Sequence, residues 1–184
     1  NGGRDKIPPL QEVRRENLNM TKIGEAIKKV DKVVVNTGIG RLSAQPNFSD
    51  KILPSVVSDF AAITGQKPRT RPAKKSISGF KLREGAVVGL QSTLRRNRAK
   101  EFLEKIIKVV LPRVRDFRGI HLKNIDERGN LSFGIKETLV FPEISQEISK
   151  TAFGLEITIV PKRVKTRSEA IEVYKELGLL FEKK

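Results

Sequence analysis

A run of β-branched residues near the start of the chain limits its possible folds more than any other feature. Val33, Val34 and Val35 are followed by the glycine-containing stretch 37–40. This pattern is typical of a buried strand that ends in a tight turn. We therefore expect a β-sheet in the core of the protein, with the strand at 32–36 among its buried members.

Further strands and helices alternate along the chain. Strands are predicted at 67–71, 86–94 and 155–160, and the stretches 121–126 and 131–136 around a Glu-Arg-Gly-Asn turn predict a hairpin. Apolar spacing predicts helices at 47–64, 97–110 and 168–177. A hairpin favours antiparallel pairing, so we expect an α+β fold: an antiparallel or mixed sheet with helices packed on one side. At 184 residues the chain is expected to form a single domain over 1–184.

Glycine and proline set the expected ends of these helices. Gly65 follows the helix at 47–64 as a C-terminal capping glycine would, and Pro112 is expected to stop the helix at 97–110. Pro54 lies inside the first helix, where it fits only if regular helix begins near Lys51, because the first turn needs no proline N–H.

Positive charge is concentrated in one stretch. The chain has 37 Lys and Arg against 21 Asp and Glu, a formal charge of +16. Residues 66–100 contain 11 cations and one anion, Glu84, and therefore carry +10 of that total. Such an unmixed charge run predicts a surface that follows phosphates, and the basic loop at 72–79 is expected to project from the core. The partner could be DNA, RNA or an anionic membrane, of which a membrane is the weakest candidate, since no apolar run is long enough to span one.

Catalytic and metal-binding chemistry is poorly supported. The chain has no Cys, and its one His, His121, has no second His near it with a metal-ligand spacing. The stretch 36–40 lacks the third glycine of a dinucleotide motif, and 74–76 lacks the glycine of a phosphate loop. Carboxylates such as Asp116, Asp126 and Glu137 are scattered. We expect a non-enzymatic protein without a cofactor or metal.

Few aromatic residues are available for stacking on bases. With nine Phe and one Tyr, a platform for single strands is unsupported. Recognition is expected to use cations, backbone amides and polar side chains that fit a folded RNA.

Several phrases of the chain resemble one protein family. They lie at 33–40, 63–68, 73–85, 111–119, 134–137 and 141–144. In order and spacing they are similar to the bacterial-type family of large-subunit ribosomal protein five, which binds 5S ribosomal RNA in the central protuberance. The likeness extends from about residue 23 to 181, and it implies a five-stranded antiparallel sheet with helices packed on it.

The resemblance also implies partners: 5S and large-subunit ribosomal RNA, peptidyl-site transfer RNA, a small-subunit head protein and neighbouring large-subunit proteins. It implies 5S RNA contacts by Asn36, Gln66, Arg69, Phe80, Arg83, Thr93 and Arg95. It implies a transfer-RNA-contacting loop with Lys74, Lys75, Ser76 and Lys81. It implies an intersubunit bridge at 112–119 and 138–144, with Arg113, Arg115, Asp116, Phe117 and Glu143.

The chain departs from the family pattern in places. The family usually has glycine at Arg96 and an apolar residue at Ser92, and Pro54 interrupts a normally regular helix. Residues 1–18 match poorly and are expected to be extended or peripheral. The first residues lack the apolar core of a signal peptide and a transit-like composition, so a ribosome-bound location in bacterial cytoplasm is expected rather than an organelle. The alternatives are a free-standing RNA-binding or RNA-chaperone protein and, less favoured, a nucleic-acid enzyme.

Overall fold

Five antiparallel strands form one sheet in the computed structural model, which describes residues 24–80, 82–115, 117–144, 151–164 and 166–182. The strands are β1 (Val30–Gly38), β2 (Arg69–Pro72), β3 (Val87–Arg95), β4 (Leu131–Ile135) and β5 (Leu155–Pro161). Their order across the sheet is β2-β3-β1-β5-β4, and each neighbouring pair is antiparallel. The valine run thus lies in the central strand, where both edges are hydrogen-bonded.

The helices are α1 (Leu53–Thr64), α2 (Arg96–Lys105) and α3 (Arg167–Glu176). Residues 24–28 are also helical and precede β1. Gly65 ends α1 with φ 66°, and its N–H donates to the Ala61 carbonyl over 2.8 Å, as expected of a capping glycine. Thr166 caps α3 by accepting a hydrogen bond from the Glu169 N–H at 3.3 Å.

Both helical prolines follow a widened turn. A π-helical segment, Phe48–Ile52, precedes Pro54, and a second one, Ile106–Val110, precedes Pro112. The wider i to i+5 bonding shifts the backbone pairing ahead of each proline, which has no N–H to contribute. Helical backbone therefore continues from α2 through Leu111–Arg113, past the proline that was expected to stop it.

The apolar core lies on one face of the sheet. Val33 and Val35 of β1, Leu90 and Leu94 of β3 and Ile157 of β5 are buried there. Buried side chains of the three helices belong to the same cluster; they include Phe60, Phe102, Leu103 and Tyr174. The α+β fold with helices on one side of a five-stranded antiparallel sheet is confirmed.

The predicted hairpin is correct in only one of its arms. Residues 131–135 form β4, but 121–126 are not a strand: Leu122–Asn124 is a 3-10 turn, and only Ile125 forms a bridge, to Leu131. β4 instead pairs with the distant β5. Local sequence does not distinguish a short arm from a turn, because the partner strand for β4 lies far along the chain.

Candidate nucleic-acid interface

The face of the sheet opposite the core carries polar side chains in rows that cross the strands. Asn36 of β1 is paired in register with Gln91 of β3, and Gln91 with Arg69 of β2. In the next row, Thr93 is opposite Val34, and in the third, Arg95 is opposite Lys32. We call this surface, formed by Lys32, Val34, Asn36, Arg69, Arg71, Gln91, Thr93, Arg95, Ser132, Glu156 and Thr158, the open face. All of these side chains are exposed or half-buried.

Charge divides the open face into two halves. Lys32, Arg69, Arg71 and Arg95 all belong to β1, β2 and β3. On β4 and β5 the face instead carries Glu156 and small polar residues, among which the hydroxyls of Ser132 and Thr158 lie 2.9 Å apart. A polyanion would therefore be held most strongly at the β2-β3-β1 side.

Gln66 lies in the turn after α1, three residues before Arg69 of the cationic half. The Thr64 hydroxyl lies 2.9 Å from the Gln66 carbonyl oxygen and 2.8 Å from that of Phe60, which ties the turn to the end of the helix. A guanidinium nitrogen of Arg98, in the first turn of α2, donates to Gln66 Oε1 over 3.1 Å. Of the seven predicted RNA contacts, Asn36, Arg69, Thr93 and Arg95 lie on the open face, and Gln66 lies in the connection that leads into β2.

The predicted transfer-RNA loop lies between β2 and β3 and is tied by backbone hydrogen bonds. Ala73 donates to Ala86 over 2.8 Å, and Ile77 and Leu82 exchange N–H···O bonds of 2.9 and 3.1 Å. Lys74, Lys75 and Arg83 are exposed, and so is Ser76, whose hydroxyl accepts the Glu84 N–H at 2.9 Å. Lys81 and the Phe80 side chain lie outside the described residues.

The predicted bridge residues lie at the far end of the α2 helical stretch and in the segment after β4. Arg113 ends that stretch, Arg115 is exposed and Phe117 is half-buried, while Asp116 lies outside the described residues. The Glu143 carboxylate is 2.5 Å from the Lys105 ammonium. Lys105 thereby links the segment containing Glu143 to α2.

Ionisable groups outside the open face make hydrogen bonds and ion pairs within the fold. Burial alone would raise the pKa of Asp126, but hydrogen bonds from the Asn130 side chain (2.8 Å) and Asn130 N–H (2.7 Å) outweigh it and hold that pKa below its usual value of 3.8. His121 pairs with Glu182 at the surface. Among the described residues, no cluster of His, Cys, Asp or Glu could hold a metal ion. In the same part of the chain, no helix combines the length and apolar character needed to cross a bilayer.

Lys32, Arg71, Gln91 and Arg98 were not among the site residues predicted from the sequence. Gln91 lies two positions before Thr93 on the same strand, so the period of two that governs strand faces could have identified it. Arg98 reaches Gln66 across 32 positions of the chain, and no local pattern predicts that contact.

Comparison with known proteins gives matches along most of the chain. A family described as Ribosomal protein L5 matches residues 26–83, and a second family, described as the C-terminus of the same ribosomal protein family, matches residues 87–181. The large ribosomal subunit protein uL5 of Halothermothrix orenii is 48% identical over 156 residues, covering 85% of this chain and 84% of the relative. The uL5 proteins of Geobacter sulfurreducens and Carboxydothermus hydrogenoformans are 49% and 43% identical over 155 residues, each covering 84% of both chains.

These matches define a ribosomal protein that binds ribosomal RNA, and they agree with a sheet that has one apolar face and one polar face with cations on its β2-β3-β1 side. The chain belongs to the ribosomal protein L5 (uL5) family. Members of this family are structural proteins and not enzymes, so the non-enzymatic expectation is confirmed. The two matched regions share the sheet, since β1 and β2 lie in the first and β3, β4 and β5 in the second.

Proposed function

We propose that this protein is a structural constituent of the large ribosomal subunit that binds 5S ribosomal RNA through the cationic half of the open face. Its ribosome-bound form is then cytoplasmic, and residues 1–184 act as one RNA-binding unit. Large-subunit RNA and neighbouring large-subunit proteins complete its surroundings. The single observation that carries the proposal is the alignment of Asn36, Gln91 and Arg69 in one cross-strand row, with Arg95 and Lys32 paired two rows further along the same face.

The chemistry of that row suits folded RNA. Asn36 and Gln91 offer both donors and acceptors, which can meet ribose hydroxyls and base edges. The cations around this row supply the phosphate contacts that orient an RNA on the surface. Because these side chains are exposed or half-buried, a backbone or loop of RNA can approach them closely.

Salt dependence of binding tests the electrostatic part of this proposal. Lys32, Arg69, Arg71, Arg95 and Arg98 together would neutralise several phosphates, so the log–log slope of the binding constant against salt should be on the order of −5. The measurement is a titration of 5S RNA at several salt concentrations, with an unrelated RNA of equal length as control. Equal affinity for both RNAs at moderate salt would refute the proposal.

The basic loop is proposed to contact peptidyl-site transfer RNA. Lys74 and Lys75 are exposed on a hairpin-like extension, where they suit a sequence-independent contact with phosphates. Replacing both with Ala should leave selective 5S RNA binding intact and weaken transfer-RNA occupancy of the peptidyl site. Loss of the preference for 5S RNA would contradict this division of roles.

The surface that includes Arg113, Arg115, Phe117 and Glu143 is proposed to contact a protein of the small-subunit head. Replacement of Arg113 and Arg115 with Ala should weaken subunit association, measured by light scattering, without loss of the protein from the large subunit. Sedimentation of the native protein separates this function from that of a free-standing RNA-binding protein, because a ribosomal protein must migrate with large subunits.

A further inference from the structure

Two glutamines at the cationic half of the open face are each held by an arginine through the same atom. Arg98 donates to Gln66 Oε1 over 3.1 Å, and Arg71 donates to Gln91 Oε1. Gln91 is opposite both Asn36 and Arg69 in the sheet, and Gln66 lies between α1 and β2, three residues before Arg69. The arrangement therefore occurs twice. The two partners are 32 positions apart in the chain for Gln66 and 20 positions apart for Gln91.

A guanidinium restricts what such a glutamine can offer to a partner. The glutamine amide has an acceptor oxygen and a donor NH₂ group, and a free side chain can rotate to present either. A guanidinium has donors and no acceptor, so it selects the oxygen. The NH₂ group, on the other branch of the planar amide, is then the group available to a partner.

The backbone at Gln66 is held as well as its side chain. Gly65 has φ 66°, and the Thr64 hydroxyl lies 2.9 Å from the Gln66 carbonyl oxygen. Arg98 itself lies in the first turn of α2, whose start is set by the end of β3. The Gln66 side chain is therefore restrained both at its backbone and at its amide oxygen before any partner binds. This lowers the entropy cost of forming a hydrogen bond from its NH₂ group to a partner.

We propose that Arg98 is a positioning residue that presents the Gln66 NH₂ group as a donor, and that Arg71 does the same for Gln91. The partner group is an acceptor of the RNA: a phosphate oxygen, a ribose oxygen or a base carbonyl or ring nitrogen. This inference rests on the proposed binding of 5S RNA by the open face. It assigns these two arginines a role beyond contributing charge to the surface.

A double-mutant cycle separates positioning from simple attraction. If Arg98 only contacts a phosphate, Arg98→Ala costs the same affinity whether or not Gln66 is present. If Arg98 positions Gln66, its side chain has nothing to position once Gln66→Ala is made. Lys100→Ala is the matched control, because Lys100 is an exposed cation two residues further along α2 that pairs with Glu104 at 4.0 Å and has no bond to Gln66.

The experiment measures 5S RNA binding of the wild-type chain, the three single variants and the two doubles with Gln66→Ala. Arg98→Ala should weaken binding about 5-fold more than Lys100→Ala, the usual effect of one lost hydrogen bond. In the Gln66→Ala background the effect of Arg98→Ala should be about 5-fold smaller than in the wild-type chain, whereas the effect of Lys100→Ala should be the same in both. An Arg98 effect that is the same in both backgrounds would overturn the inference. The variants should remain folded because the replaced side chains are exposed or half-buried. Thermal melts identify any variant whose loss of RNA binding comes from unfolding.

A second measurement uses the free protein and needs no RNA. The side-chain amide of Gln66 should have a high ¹⁵N order parameter in the wild-type chain and in Lys100→Ala, and a low one in Arg98→Ala. An unchanged order parameter would also refute positioning. If the order parameter responds but the chain has no preference for 5S RNA, the proposed function fails while the Arg98–Gln66 contact stands; if binding is selective but uncoupled, only the present inference fails.

Discussion

Replacing Lys105 with Ala should destabilise the protein more than removing any other cation of the α2 helical stretch. The Lys105 ammonium is 2.6 Å from the Ile63 carbonyl oxygen, 2.5 Å from Glu143 Oε1 and 5.7 Å from the centroid of the Phe102 ring. Ile63 belongs to the last turn of α1, where carbonyls lack intrahelical partners, and a cation there also complements the helix dipole. One side chain thus joins α1, α2 and the segment after β4.

The magnitude follows from these contacts. A hydrogen bond between a charged group and a carbonyl contributes about 1.5 to 3 kcal/mol, and its loss leaves the carbonyl without that partner. The ion pair adds a smaller amount, about 0.5 to 1 kcal/mol, because Lys105 and Glu143 remain 22% and 31% exposed. We therefore expect Lys105→Ala to lower the free energy of unfolding by about 2 to 4 kcal/mol. For a chain of this size the melting temperature should fall by roughly 4 to 16 °C.

The assay is urea unfolding followed by circular dichroism, with Lys108→Ala as the matched control. Lys108 lies on the same helical stretch, is 41% exposed and pairs with Glu104 at 3.8 Å. Such an exposed pair contributes little, so the control should lose less than about 0.5 kcal/mol. Equal losses in the two variants would refute the reasoning, since they would mean that the bonds to α1 and Glu143 contribute nothing measurable.

Three further predictions concern the turn at 127–130, the residue Asp126 that precedes it and the helix α3 that packs against it. Tyr174 is buried, with its hydroxyl 2.6 Å from the Gly129 carbonyl oxygen, so Tyr174→Phe should lower the free energy of unfolding by about 1 to 2 kcal/mol in urea titrations. Gly129→Ala should lower the melting temperature, because a Cβ there would lie 2.9 Å from Ala170 Cβ and Gly129 has φ 81°; a melting temperature equal to that of wild type would contradict this. The lowered pKa of Asp126 adds stability that is present above the unfolded-state value of 3.8 and is lost as pH falls through the folded-state value, so the stability difference between wild type and Asp126→Ala should shrink below that pH. A difference that is constant from pH 6 down through acid unfolding would be the contrary result.

Much of the secondary structure was predictable because it depends on local patterns. The alternation at 155–160 produced β5, and the capping glycine Gly65 ended α1, since both signals act over a few neighbouring residues. The same applies to the unbalanced charge of 66–100, which follows from composition alone. The prediction that Pro112 stops the helix was wrong. A widened turn ahead of the proline allowed helical backbone to continue beyond it.

Arg96 has a left-handed backbone conformation whose cause is visible only in the tertiary structure. The family resemblance predicts glycine at this position. Arg96 has φ 53°, a conformation that costs about 1 kcal/mol for a residue with a Cβ. It lies where β3 passes directly into α2, so the chain must turn sharply there. The side chain is exposed, so its charge is accommodated in contact with solvent.

The amino-acid sequence by itself determined the class of fold, the positions of most strands and helices, and the stretch that carries the cationic charge. Only the tertiary structure decided which side chains share a surface. Asn36, Gln91 and Arg69 form one row because β3 pairs with both β1 and β2 in a particular register, and Gln66 is held by an arginine 32 positions away. Strand order and register depend on burying one face of the whole sheet against the helices, a property of distant residues together and of no local segment.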